Sequence, residues 1–380
     1  MGRFIEKGDK PWLWGGGGIV AGLAIGFAIA HIRALREWPW DILAQPLATL
    51  GAATAAIIAA AIALHNGEKT REQDKEIHEA KSRAEQERAL RERFTSIVEM
   101  LSTNNEDYTK RESGAYALAA LADDWTIFYK EDPESAQQEQ QVCLNILAGQ
   151  LRDPISENSS SQLLALKERI QDIIFSRFTS NKNDIPGTWS SLKLDLSNCH
   201  LYKIKITGYF NQHISFYNTN FVGESYFTEA RFTRVNFNHS QFHNATFFSG
   251  SEFYNSALFQ ETNFHDRIKF HQIKFHGPVN FFDAKFYGKV TIFEGVIFYK
   301  LARFSQSRFY KKVYFSSPFF FGDAYFDETE FHATIRFESP EKYGTISFSY
   351  SKFYIPESHE NIEVIKKLDK NLIGVKFLEK

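Results

Sequence analysis

Large apolar residues in the second half of the chain recur at a spacing that neither a helix nor a flat strand uses. From Phe216 the ladder runs through Phe221, Phe227, Phe232, Phe237, Phe242, Phe247, Phe253, Phe259, Phe264, Phe270, Phe275, Phe281 and Phe286. It continues through Phe293, Phe298, Phe304, Phe309, Phe315, Phe320, Phe326, Phe331, Phe337, Tyr343, Phe348 and Phe353. Steps are five or six residues, with one of seven between Phe286 and Phe293. A helix repeats its apolar positions at three and four, and a strand at two. A sustained period near five predicts a solenoid, in which no repeat buries its large side chain alone. Two residues before each aromatic sits a small or β-branched residue, as at Thr219, Ser225, Ala230, Val235, Ser240 and Ala245. Pro318 and Glu341 interrupt that second pattern.

This paired pattern resembles the pentapeptide-repeat family in its phenylalanine-centred form. Leu194-Asp195-Leu196-Ser197-Asn198-Cys199-His200-Leu201 is similar to the leucine-centred form. The ladder is therefore expected to begin near Leu196 and to pass through Leu201 and Ile206, with Asn211 as one polar rung. The resemblance implies a right-handed quadrilateral β-helix over residues 191–356. The central residue of each five points inward, and the small residue beside it fills the remaining space. Four rungs per coil give seven or eight coils. At about 4.8 Å per coil the rod is on the order of 35–40 Å long. The core residues expected are Phe216, Phe221, Phe232, Phe237, Phe242, Phe264, Phe275, Phe286, Phe298, Phe309, Phe320, Phe331 and Phe353. The extra residue of each six-residue step reads as a corner bulge, and Gly288 marks the largest one.

The first part of the chain reads as helical. Residues 11–32 and 42–64 carry no Asp, Glu, Lys or Arg, and each is long enough for a hydrocarbon core, which takes about 20 residues. Trp12, Trp14, Trp38 and Trp40 flank them, as interfacial aromatics do. The expectation is a transmembrane hairpin over 11–66, after a cytoplasmic tail over 1–10. Gly18, Gly22 and Gly26 would face Gly51, Ala55 and Ala59, small residues that let helices approach closely. Basic residues at Arg3, Lys7, Lys10, Lys69, Arg71 and Lys75 would place both ends, and all later domains, in the cytoplasm of a multi-pass cell-membrane protein. A cleaved signal peptide ending at Ala28-Ile29-Ala30 is the rival reading.

Residues 67–104 read as a charge-laced helix. Residues 105–190 read as a small helical linker domain, with helices around Tyr116–Phe128, Val142–Leu151 and Leu163–Phe178. Arg93 to Leu101 and Arg111 to Leu118 resemble the linker of membrane-anchored bacterial pentapeptide-repeat proteins. Solenoid ends need caps. The first cap is expected from Leu163–Phe178 with Trp189. The second is expected within 357–380, from a helix over Glu360–Leu372 with Ser358 as N-cap and Ile362, Ile365 and Leu368 on its inner face.

Composition narrows the function. The formal net charge is -2, and the two cysteines, Cys143 and Cys199, build neither a disulfide framework nor a zinc site. No phosphate loop, dinucleotide fingerprint or nucleophile elbow is present. His239, His243, His265, His271, His276 and His332 fall between rungs and read as solvated side chains. No catalytic, metal or cofactor residues are named, and the chain is expected not to be an enzyme. The familiar activity of the resembled family is mimicry of DNA towards gyrase. It does not carry over, because residues 194–353 hold 17 Lys and Arg against 14 Asp and Glu, a balance of +3. A basic group at Lys300, Arg303, Arg308, Lys311 and Lys312 is a candidate patch for acidic lipid or nucleic acid, against an ordinary mixed surface. The expected partners are a lipid bilayer and an unidentified protein, with self-association also weighed. The function expected is a membrane-anchored scaffold whose β-helix binds a protein. The alternative is an oligomeric, channel-like membrane effector with the β-helix as sensor.

Overall fold

The structure is a computed structural model that describes residues 40–102, 107–156, 158–178, 187–354, 359–369 and 372–377. The chain divides into two units, residues 1–84 and 85–380. The described part of the first unit belongs to helix α1 (Trp40–Leu101). Its side chains from Gly51 to Ala84 are exposed, including Ile57, Ile58, Ile62 and Leu64. No helix among the described residues is long and apolar enough to cross a membrane. This overturns the expected multi-pass placement. Residues 42–64 are free of charge, but alanine dominates them and Gln45, Pro46, Thr49, Gly51 and Thr54 interrupt them, before Glu68 and Lys69 begin the charged run. Ala55 and Ala59 are exposed, and nothing lies within 4 Å of a Cβ built on Gly51. The expected partner stripe of Gly18, Gly22 and Gly26, and the whole span 11–32, lie outside the described residues.

In the second unit the end of α1 packs Ile97 and Leu101 onto helices α2 (Tyr108–Phe128), α3 (Pro133–Gln150) and α4 (Ser161–Phe178). Asp107 and Asp132 cap α2 and α3 by accepting from the Lys110 and Ser135 amides, which have no partner within the helix. Trp125 fills the centre of this bundle, with the Arg91 guanidinium 4.6 Å from its ring centroid. The core of the bundle is continuous with that of the solenoid that follows.

The solenoid is a parallel β-structure of about eight turns with four rungs to a turn. We number its faces I to IV in chain order. Face I carries Leu196, Phe216, Phe237, Phe259, Phe281, Phe304, Phe326 and Phe348. Face II carries Leu201, Phe221, Phe242, Phe264, Phe286, Phe309, Phe331 and Phe353. Face III carries Ile206, Phe227, Phe248, Phe270, Phe293, Phe315 and Phe337, and face IV carries Phe210, Phe232, Phe253, Phe275, Phe298 and Phe320. All of these residues are buried. Strands pair in parallel with their equivalents one turn on, as Phe264 does with Phe286 and Phe293 with Phe315. Successive rings of one face stack nearly flat, at 4.7 Å between Phe304 and Phe326 and 4.5 Å between Phe286 and Phe309. Rings of facing columns meet edge to face, as Phe304 and Phe315 do at 88°. Both arrangements suit the ring quadrupole. The buried hydroxyls beside the rings bond to carbonyls of the preceding turn: Ser240 to Phe216 at 2.5 Å and Thr262 to Phe237 at 2.8 Å.

The alternation of five and six residues follows from two kinds of corner. Steps after faces I and III are five residues, apart from four between Ile206 and Phe210 where the register shifts, and the residue two beyond the rung turns the corner with a positive φ. Examples are His239 (61°), Glu261 (55°) and Asp283 (49°) after face I, and Gln272 (52°) after face III. Corners after faces II and IV usually take an extra residue instead, so eleven residues make half a turn. In the one seven-residue step, a Cβ on Gly288 would sit 2.1 Å from the Asp266 carbonyl oxygen, so only glycine fits.

Three rungs differ from the ladder read off the sequence. Phe248, not Phe247, points inward; Phe247 lies outside, stacked on Tyr226 at 5.0 Å. Phe210 replaces the expected polar rung Asn211, because the backbone register shifts between Ile206 and Gly208. Lys342 rather than Tyr343 pairs with Phe320, and Tyr343 is 70% exposed.

Both ends are closed. At the start, α4 stacks Phe178 on Phe210. The Gln171 amide donates to the Tyr202 carbonyl and accepts from the Tyr202 amide, each at 2.8 Å, and so stands in for a missing strand. Gln141 of α3 does the same at Lys193, at 2.9 Å each way. At the far end, helix α5 (His359–Leu368) buries Ile365 and Leu368. Asp369 accepts the Phe348 amide at 2.8 Å, and Lys342 Nζ donates to the Leu368 carbonyl. Residues Lys376–Phe377 then add a last strand beside Lys352–Phe353. Ser358 lies outside the described residues, as does the side chain of Ile362.

Candidate functional site

Because each rung side chain points inward, the residues on either side of it point out. They make ladders of their own, repeating once per turn. On face IV the residues after the rungs form a stack of Tyr254, His276, Tyr299, Phe321 and Tyr343. Centroid distances are 5.0, 5.0, 5.3 and 5.0 Å, with interplanar angles of 6° or less. Tyr209 approaches Tyr254 edge-on at 6.2 Å. Tyr254, Tyr299, Leu301, Phe321 and Tyr343 are each more than a third exposed and make a continuous apolar strip on the outside of the solenoid. Glu252 sits beside it and accepts from Tyr254 Oη at 3.0 Å, Lys274 Nζ at 2.9 Å and His276 Nε2 at 3.3 Å. Burial pushes the Glu252 carboxyl up, but these three donors outweigh it and hold it below its ordinary range.

Face II carries the second stack: His243, His265, Tyr287, Tyr310, His332 and Tyr354, at 4.6–5.3 Å. Burial, then the neighbouring His243, lowers the pKa of His265. Glu330 there collects Lys352 at 2.9 Å, His332 at 3.3 Å and Arg308 at 3.6 Å. Ion pairs that join one turn to the next recur on other faces, as with His239 and Glu261 or Lys269 and Glu294.

The histidines singled out from sequence are therefore spread round the rod. His239 is on face I, His243, His265 and His332 on face II, His271 on face III and His276 on face IV. Among the described residues no group of three His, Cys, Asp or Glu could hold a metal ion. The basic group is dispersed as well. Arg303 lies over the Phe282 ring, Arg308 pairs with Asp283 at 3.0 Å, and Lys300 and Lys311 sit at different corners. The aromatic stacks went unnoticed in the sequence, although the ring or histidine directly after a rung was their signal: Tyr254 after Phe253, Tyr299 after Phe298, Phe321 after Phe320.

Four-sided parallel stacking around an aromatic core, with ladders outside, defines a β-solenoid repeat protein. A family model described as pentapeptide repeats in nine copies matches residues 237–285 and 259–308, within that rod. The solenoid belongs to the pentapeptide-repeat family. The match stops short of the helical segments and gives no support to a membrane-anchored or bacterial subtype. No curated protein and no solved structure matches the chain.

Proposed function

We propose that the chain is a non-enzymatic scaffold whose solenoid binds a protein partner on face IV. One observation carries this reading: the exposed stack from Tyr254 to Tyr343, on a backbone held rigid by stacked rings. Tyrosine and phenylalanine supply large contact area with few rotatable bonds, so ordering them on binding costs little. The core rings are occupied in stability and are out of a ligand's reach. Recognition falls to the residues between the rungs.

A photo-crosslinking amino acid at Phe321, compared with one at Tyr325 on face I, tests the proposal in intact cells. A discrete protein adduct from position 321 and none from 325 is the expected result. Adducts of equal yield from both positions, or none from either, would remove face IV as the docking surface.

A further inference from the structure

The corner after face IV carries exposed cations outside any ion pair among the described residues, whereas Lys274 on the face itself is paired with Glu252. The residue two beyond each rung lies on it: Arg234, Asn255, Gly277 and Lys300 in successive turns. Together with Tyr254, Ser256, His276, Pro278 and Leu301 they line a shallow trough of about 770 Å³. Its floor dips at Gly277, where a Cβ would fall 2.0 Å from the Asn255 carbonyl oxygen, so no side chain can fill it. Arg234 and Lys300 stand exposed on either side, and neither is in an ion pair among the described residues. The trough is lined by no carboxylate. Of the acids on this flank, Glu252 is held by Lys274, His276 and Tyr254, and Asp323 accepts from the Thr345 amide at 2.8 Å.

We propose that this corner takes an extended acidic peptide, with two carboxylates four residues apart seated on Arg234 and Lys300. The spacing follows from the fold. Three turns separate the two cations, which is about 14 Å along the rod, and four residues of extended chain span about 13 Å. Nucleic acid fits less well. Its affinity grows with the number of phosphates neutralised, and only two unpaired cations stand here. Single strands also need free ring faces to stack on, whereas both faces of His276, Tyr299 and Phe321 are covered by their neighbours. The inference rests on the docking role of face IV and names the chemistry of the docked segment.

Fluorescence anisotropy with the full chain tests it. The probe is a labelled decapeptide with glutamates four residues apart; its glutamine counterpart and an oligothymidine serve as competitors. The expected result is binding that weakens at least tenfold in R234E/K300E and stays unchanged in K311E/K312E, with neither competitor displacing the probe. No binding at millimolar peptide, an unchanged affinity in R234E/K300E, or equal competition by the glutamine peptide would overturn the proposal. Displacement by oligothymidine would overturn it in favour of nucleic acid. If the peptide fails while the position-321 adduct persists, the acidic-peptide inference falls and the docking face stands.

Discussion

Replacing Phe304 by alanine removes a ring from the middle of the rod. Phe304 is fully buried, stacked between Phe281 at 5.0 Å and Phe326 at 4.7 Å. The rings of Phe293, Phe298 and Phe315 meet it edge-on at 5.6, 6.1 and 6.0 Å. Five neighbours fixed by their own turns cannot all collapse into the gap. The cost should therefore reach the upper part of the range for a buried Phe to Ala change, about 4–5 kcal/mol. Phe304→Leu keeps most of the apolar area but loses the ring geometry. At about 0.5–1.5 kcal/mol per aromatic pair, partly replaced by aliphatic contacts, it should cost about 1–3 kcal/mol. Phe321→Ala on the outside should cost less than about 1 kcal/mol. Urea unfolding followed by far-ultraviolet circular dichroism gives the order directly. Hydrogen exchange would show the Phe304→Ala loss concentrated in the flanking turns, because a solenoid turn touches only its neighbours. If Phe304→Ala costs no more than Phe321→Ala, the account of a ring-filled core is wrong.

Other consequences follow from single contacts. Lys167 is buried and its pKa is lowered to about 8, chiefly by burial, although its ammonium donates to the Gln150 and Asp153 carbonyls. Its folded pKa lies below the unfolded value, so the penalty for the charged form is full below pH 8 and fades as pH rises towards about 10.4. The wild type should gain stability over that window relative to Lys167→Met, read by thermal melting; parallel profiles would dismiss the effect. Glu252 and Glu330 have lowered pKa values. Burial raises both, but donors including Lys274 and Lys352 outweigh it. Their contribution is present above the unfolded carboxylate range and is lost as pH falls through the lower folded values, so E252Q/E330Q should flatten the acid limb of a stability profile. Gln171→Met leaves the Tyr202 amide and carbonyl without their partner and should cost about 1–3 kcal/mol, with faster amide exchange at residues 200–202.

The aromatic ladder was open to reading because a solenoid writes its inward positions at a fixed spacing. The reading slipped where two candidates were adjacent. Phe247 and Phe248 satisfy hydrophobicity equally, and only the six-residue corner after face II decides for Phe248. At Asn211 and Tyr343 an assumed step of five or six met a bulge and the last turn, where Lys342 bonds to helix α5 instead. Helix α3 begins at Pro133, well before its large apolar residues, so Asp132 and Pro133 were its signal. The closing amides of Gln141 and Gln171 had no local signature, because each pairs with backbone far along the chain. Over 42–64, the half of the expected membrane hairpin that lies among the described residues, the expectation rested on the absence of charge and on Trp38 and Trp40 beside it. Absence of charge in an alanine-rich helix is weaker than apolar bulk.

The central claim is that rung side chains fill the rod and the residues between them make its surface. Thiol labelling of Phe247→Cys and Phe248→Cys in the folded protein tests it most directly, since native Cys143 and Cys199 are both buried. The account predicts that Phe247→Cys reacts without denaturant and that Phe248→Cys reacts only once the protein is unfolded. The reverse order, or equal reaction at both positions, would contradict it.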